Sequence, residues 1–345
     1  MFKKSFDVIT IGGVVRDLSF WSKAGRFFNT PQDLTAQKYL AFEYGAKVGI
    51  DEAFITFGGG ASNSATTFAK LGLKTAVLTR VGDDTDGESI IDNLSQNKVN
   101  TSLVQKDKQK PSGFSFILST DKKERDHVVF AFRGASENIE IDHNTLKGIS
   151  SQWFYITSLR GEGWKKLLTN AFSIAREKRI KIAWNPGSTQ LQAGKKVLEK
   201  LIKQTEVLIL NKDEAIELAL SGLSFGRKTP THLNKPLYLL NILKDWGPKI
   251  VVITDGKKGA YAYEGKKIIK VLPLNRKVVD TTGVGDAFGS GFITSLIYKP
   301  GDIKEALRWA NLNSNTVVTQ PGAQGGILTK NQMHTLLKKT KIILR

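Results

Sequence analysis

Residues 278–292 read VVDTTGVGDAFGSGF, a β-branched pair, an acidic and hydroxyl cluster, and a glycine-rich turn that opens an apolar helix. Glycines placed there let consecutive backbone N–H groups point at one spot with no Cβ in the way. The helix dipole adds positive potential there, so the turn reads as an anion hole. Asp286 sits inside it, where a carboxylate can take a proton from a hydroxyl beside a bound phosphate. Such a pairing suits phosphoryl transfer to an alcohol. The same letters also describe a plain strand-to-helix turn capped by an aspartate.

Working outward, the chain has 345 residues, 40% hydrophobic and 24% charged, enough for one large α/β domain or two small ones with ample core. The opening MFKKSFDVITIGG has a basic start and an apolar run, but Asp7 interrupts it and no small-residue cleavage site follows. It reads as a first strand. No stretch is long and apolar enough to span a bilayer. The absence of cysteine excludes disulfides, thiolate metal sites and a Cys nucleophile, and four scattered histidines (127, 143, 232 and 334) argue against zinc. A cytoplasmic location is the expectation.

The formal net charge of +19 raises a nucleic-acid reading. The lysines are spread in short clusters, such as Lys106, Lys108 and Lys110 or Lys338, Lys339 and Lys341, with no long basic tail. That pattern describes solvated faces, which can also steer an anionic substrate such as ATP.

Apolar β-branched runs at 8–11, 76–79, 153–157, 180–184, 207–210 and 250–254 alternate with helix-period segments, for example Ala61, Ala65, Phe68 and Ala69. Alternation of this kind predicts a mostly parallel sheet with helices on both faces, and a ligand site beyond the carboxyl ends of the strands. Two stretches break the rhythm. Residues 38–49 alternate, with Leu40, Phe42, Tyr44, Ala46 and Val48 on one face, and 113–119 and 128–133 do likewise around the charged turn DKKERD. They predict a small half-exposed sheet, a discontinuous lid drawn from about 16–57 and 112–134, which would exclude water on closing. Nine aromatics crowd residues 20–57, where they can form the lid's own core, pack a lid-to-lid homodimer or stack a base.

Further clusters lie where a kinase needs them. FGGGASN at 57–63 leads into a helix: Gly59 and Gly60 allow close backbone approach, and Asn63 can give and accept hydrogen bonds with sugar hydroxyls. Asp17, shortly after Gly12-Gly13, can accept two hydroxyl protons. Asn211 and Glu214 open the helix after a buried strand, where a carboxylate and an amide can organise hydrated Mg²⁺. Each has a plain alternative as a helix N-terminus, a turn aspartate or a helix cap.

Together, DTTGVGD at 280–286, GGGASNSATTFAKLG at 58–72, VGDDTDG at 81–87, NKDE at 211–214, TDGKKGA at 254–260 and QPGAQ at 320–324 give the chain a clear resemblance, over nearly its whole length, to the ribokinase/PfkB family of carbohydrate and nucleoside kinases. The resemblance implies a single ribokinase-like domain over 1–345, with Asp286 as base and the backbone of Gly283, Val284 and Gly285 as anion hole. It implies that Asp17, Gly59, Gly60 and Asn63 hold the acceptor and that Asn211 and Glu214 govern Mg²⁺ and phosphate geometry. Thr254, Gly256 and Gly259, with Asn311, Asn315 and Gly322, would line the nucleotide pocket. Asp280 and Thr282 match positions that help bind K⁺ in members requiring a monovalent cation. Val284 stands where alanine is commonest; only its N–H matters there.

Other phosphate loops fit poorly. Around Gly194-Lys195 a P-loop would need glycine at Thr189 and a hydroxyl at Lys196. Gly283-Val284-Gly285 lacks the third glycine of a dinucleotide fingerprint, Phe288 standing there. The reading is an ATP- and Mg²⁺-dependent kinase acting on a primary hydroxyl of a sugar or sugar-like molecule. A nucleoside kinase comes second, and a non-catalytic nucleic-acid-binding protein on the same scaffold is a remote third. Arg133, at the end of a lid strand, can hold a phosphorylated or carboxylated sugar or simply face solvent.

Overall fold

Successive residues of the central strands alternate between two cores. Ile9 and Ile11, Phe154 and Ile156, Ile182 and Trp184, Leu208 and Leu210, and Val251 and Ile253 lie on one side. Val8, Trp153, Tyr155, Ala183, Val207, Ile209 and Val252 lie on the other. Side chains of a strand point alternately to its two faces, so a run apolar at every position requires cover on both. Each fully buried Ile, Leu or Phe contributes roughly 1.5–3 kcal/mol by leaving water.

The computed structural model describes residues 4–29, 38–119, 127–223, 231–264 and 267–345. Its main sheet has nine strands in the order Lys267–Val271, Ala260–Glu264, Ile250–Thr254, Val207–Asn211, Lys181–Trp184, Ile149–Ile156, Lys4–Ile11, Thr75–Gly82 and Val104–Asp107. Ile250–Thr254 through Val104–Asp107 run parallel, and the remaining two strands pair antiparallel at one edge. All six apolar runs are in it. The three additional strands lie at the two ends of the sheet; one is the edge strand Val104–Asp107, whose letters VQKD carry too few apolar residues to announce a strand. The chain order reverses between Ile149–Ile156 and Lys4–Ile11, the place where a doubly wound sheet opens a crevice at its carboxyl ends.

A second sheet orders Glu52–Gly58, Val15–Trp21, Phe114–Ser119 and His127–Phe132, two separate parts of the chain that fall within the expected lid segments. The DKKERD turn lies outside the described residues. The expectation of one alternating lid strand over 38–49 is corrected: only Lys38–Ala41 is extended, and it pairs with Arg26–Asn29 in a separate hairpin. Gly45, at φ +82°, turns the chain directly after Tyr44, which is fully exposed. Of the nine aromatics at 20–57, Phe27, Phe28, Tyr39, Tyr44 and Phe54 are exposed, so the set does not build a closed lid core. On the face of this sheet opposite Asp17, Phe20, Phe114, Phe116 and Phe132 touch ring to ring at 5.2–6.1 Å, yet Phe116, Phe130 and Phe132 stay exposed.

Between the sheets, Asp84 anchors the lid. Its carboxylate accepts from Gly87 N at the head of the helix Thr85–Gln96 and from both the amide and the hydroxyl of Ser112, at 2.6–2.8 Å. VGDDTDG therefore joins a helix cap to the root of the second lid segment. The Arg16–Asp86 ion pair ties the first segment to the same helix.

Candidate active site

The helix Val284–Tyr298 is apolar on all sides, with residues 287–296 all buried, so it runs through the core and brings its N-terminus to the strand ends. Gly283 caps it in the left-handed region, φ +71°, and a Cβ there would overlap Ala323. The amide of Ala287 is taken by Gly283 O at 2.9 Å, and Val284 N has only a long 3.5 Å contact to Thr281 O. The first amides of a helix lack intrahelical acceptors and are available to an anion. Asp280 shapes this turn from below: one carboxylate oxygen accepts from Thr282 N at 2.8 Å, the other from Gly322 N at 2.9 Å.

Asp286, on the first turn, is half-buried, and its Oδ2 accepts from Asn63 Nδ2 at 2.8 Å. Burial pushes its carboxyl above the usual range while the Asn63 hydrogen bond pulls it back. Asn63 projects from the helix Gly60–Lys70, whose N-cap Gly59 has φ +90°. A Cβ on Gly59 would strike Gly13 O and Val14 Cα, so glycine there lets the helix start sit against the end of the first strand. Gly60 likewise lies against Thr157.

Asp17 is 4% exposed on Val15–Trp21, in register with Thr56 on one side and Ser115 on the other. Burial raises its carboxyl to about 6, against a hydrogen bond donated by Ser115 Oγ and the charge of Arg133, with Asp280 adding to the rise. A buried carboxylate near a second one can accept hydroxyl protons from a bound polyol.

Asn211 and Glu214 form a reciprocal capping box: Asn211 N donates to Glu214 Oε2 and Glu214 N to Asn211 Oδ1, both at 2.8 Å. The helix-cap alternative thus describes part of what they do. Burial raises Glu214, the Asn211 amide lowers it, and the Asp286 carboxylate pushes it up again. Glu214 therefore lies within the field of the Asp286 carboxylate, and its Oε1 is not used by the cap. That donor set fits a cation held largely through water. Among the described residues no three His, Asp or Glu side chains converge as a metal cage.

Thr254 ends a strand beside Asn211, and the turn after it closes through Asp255 N donating to Gly259 O at 2.7 Å. Gly256 and Gly259 both have positive φ, and beyond Gly256 there is open space. Asn311 Nδ2 donates to Leu272 O at 2.9 Å and Asn315 Oδ1 accepts from Leu274 N at 3.1 Å, so the pair pins residues 272–274 against the helix Ile303–Val317. Asn311 Oδ1 is buried with no partner. Gly322, at φ +73°, donates its amide to Asp280 and packs on Thr56 of the lid sheet.

Sequence reasoning missed three contributors. Ser115 holds Asp17, and Gln324 Nε2 donates to Ser62 Oγ at 2.9 Å and to Asn63 Oδ1 at 3.3 Å. Asn93 Nδ2 in turn donates to Gln324 Oε1 at 3.2 Å. Gln324 closes the QPGAQ motif, a signal that could have found it; Ser115 and Asn93 carry none.

The profile of the pfkB family of carbohydrate kinases matches residues 34–330. The chain belongs to the PfkB family. Its members are phosphotransferases with an alcohol group as acceptor, which is the chemistry this arrangement of carboxylate and helix N-terminus can perform. Among curated PfkB relatives, the ribokinase of Staphylococcus aureus is 26% identical over 302 residues, covering 87% of this chain and 93% of that protein. Among solved structures, the nucleoside kinase of Methanocaldococcus jannaschii superposes with a TM-score of 0.73 at 20% identity, covering 99% and 100% of the two chains. The Arabidopsis thaliana ribokinase in complex with ribose and ATP gives 0.74 at 18% identity, covering 98% and 99%. These establish the ribokinase fold for this PfkB chain.

Proposed function

We propose that the protein transfers the γ-phosphoryl group of ATP to a primary hydroxyl of a sugar, with Asp286 as the general base. The observation that carries this is the Asp286 carboxylate standing in the first turn of the helix opened by Gly283, held by Asn63 and raised by burial. Asp17 and Asn63 grip the acceptor's other hydroxyls. Asp286 orients the reacting hydroxyl and takes its proton as the phosphoryl group arrives. The Gly283, Val284 and Gly285 amides hold the negative charge that builds on the transferring oxygens.

Glu214, together with the nucleotide, would hold Mg²⁺, which would supply charge neutralisation at the phosphates. Thr254, Gly256, Gly259, Asn311 and Asn315 form the nucleotide side, and lowering the lid sheet over Asp17 excludes water. Thr282 Oγ1, buried without a hydrogen-bond partner next to Asp280, fits a K⁺ ligand whose role is to stiffen the turn. The exposed apolar face of the lid is the surface on which two copies pair.

A nucleoside acceptor is the second reading, favoured by Phe54, which is in register with Ser19 on the Asp17 face and 39% exposed, where a base could stack. Asp286→Asn tests the main reading. It keeps size and polarity, so ATP binding by calorimetry should persist while turnover falls by roughly 10²- to 10⁴-fold. Undiminished turnover would remove Asp286 as base. Salt-sensitive nucleic-acid binding with no ATP turnover on any acceptor would instead support the scaffold-only alternative.

A further inference from the structure

Arg133 lies directly after the lid strand His127–Phe132 and leads into the turn Gly134–Asn138. Ala131 is in register with Ser115, which is itself beside Asp17, and Arg133 follows two residues on, within the field of the Asp17 carboxylate. It is half-buried, not solvent-facing, and its Nε is buried without a hydrogen-bond partner. Among the described residues its guanidinium makes no ion pair within 4.0 Å.

A second guanidinium adjoins it. Arg160 follows the strand Ile149–Ile156 on a loop whose Gly161 packs directly on the backbone of Glu137, four residues past Arg133. Burial and the neighbouring Arg160 charge both disfavour the charged form of Arg133. Arg160 itself has only a long 3.5 Å donation to Ser188 Oγ. The nearby carboxylates are committed elsewhere, Asp17 to Ser115 and Glu137 to Lys110 at 3.4 Å. Two like charges with an orphaned buried donor are costly to hold together, and a bound oxyanion relieves both costs at once.

We propose that Arg133 and Arg160 form, on the lid side of Asp17, a subsite for a carboxylate or phosphate carried by the acceptor, so that the substrate is an anionic sugar. This rests on the kinase reading and deepens it. Asp17 and Asn63 then take the hydroxyls in the middle of the molecule, Asp286 takes the hydroxyl at one end, and the guanidinium pair takes the charge at the other.

The test compares initial rates of ATP turnover, and calorimetric binding with a non-hydrolysable ATP analogue, for gluconate against glucose and fructose 6-phosphate against fructose, with 2-keto-3-deoxygluconate and adenosine alongside. Wild type, Arg133→Gln and Arg160→Gln are measured. The expected result is a strong preference for one anionic sugar. Each variant should lower the anionic-to-neutral ratio of kcat/KM by roughly tenfold to a hundredfold, mainly through KM, as expected for loss of a charge-assisted contact. The acid and phosphate arms identify which anion is taken. Arg160→Gln, at an exposed position, guards against an Arg133 variant that fails to fold. A neutral sugar or adenosine as the best substrate, with the ratio unmoved by either variant, overturns the subsite. If no compound is turned over, the kinase reading itself fails. Calorimetry then still decides the subsite: selective binding of an anionic sugar, weakened in Arg160→Gln, upholds it, and no such binding overturns it.

Discussion

Asn63 Nδ2 stands 2.8 Å from Asp286 Oδ2, and Asn63 Oδ1 accepts from Gln324 Nε2 at 3.3 Å. An ionised carboxylate only accepts, so the Asn63 amide has one orientation, and Gln324, itself held by Asn93, enforces it. The Asn63 bond is also what opposes the burial that raises Asp286. Asn63→Leu should therefore raise the pKa of Asp286, the proposed base, further. Activity needs the ionised form, present above that pKa and lost as pH falls through it, so the acid limb of the kcat profile should move to higher pH. Gln324→Leu should move it the same way by less. A limb unmoved in Asn63→Leu removes the link.

Asp17 binds its proton more tightly folded than unfolded, at about 6 against the ordinary 3.8. Its contribution to stability is fully present below pH ~4 and is lost as pH rises through about 6, because a buried ionised carboxylate is then left to be paid for by the rest of the fold. Asp17→Asn should leave stability near pH 4 little changed and gain roughly 2–3 kcal/mol over wild type at pH 8, one unit being about 1.4 kcal/mol. Thermal melts at pH 4, 6 and 8 check this. The same substitution should raise the acceptor KM at pH 8, and a wild-type KM that climbs below pH 6 would match it.

Two carboxylates should govern different cations. Glu214→Gln removes a charge that lies within the field of Asp286 but can keep the capping box, so the Mg²⁺ concentration for half-maximal rate should rise several-fold with little loss of folding stability. Asp280→Asn loosens the tie between Thr282 and Gly322, so any K⁺ stimulation should shrink while the Mg²⁺ titration holds. Equal wild-type rates in K⁺ and in a bulky organic cation would remove the K⁺ role.

The outer lid face leaves Phe130 58% exposed opposite Phe116 at 37%, in a row of apolar residues that few monomers expose. Sedimentation should show dimers at micromolar concentration, and Phe130→Glu should yield monomers with an unchanged melting temperature. A monomeric wild type would remove lid pairing.

The alternation of apolar runs with helical periods was enough by itself to determine the doubly wound sheet, because burying a strand on both faces leaves its residues no other composition. The glycine turn and its aspartate were equally legible: a positive φ at Gly283 and a carboxylate on the first turn of the helix it opens are local features, written in adjacent letters. What the lid is made of was not. Residues 38–49 carry a strand's alternation, yet Val15–Trp21 and Glu52–Gly58 build the sheet, since strand pairing depends on which edges meet in space. Nor could spacing show that Gln324 and Asn93 hold Asn63 toward Asp286, that Gly322 serves Asp280, or that Arg133, beside Arg160, finds no ion pair among the described residues. Those facts belong to tertiary structure alone, because a hydrogen bond or an unrelieved charge is decided by distance and burial between residues far apart in the chain, quantities that no local pattern encodes.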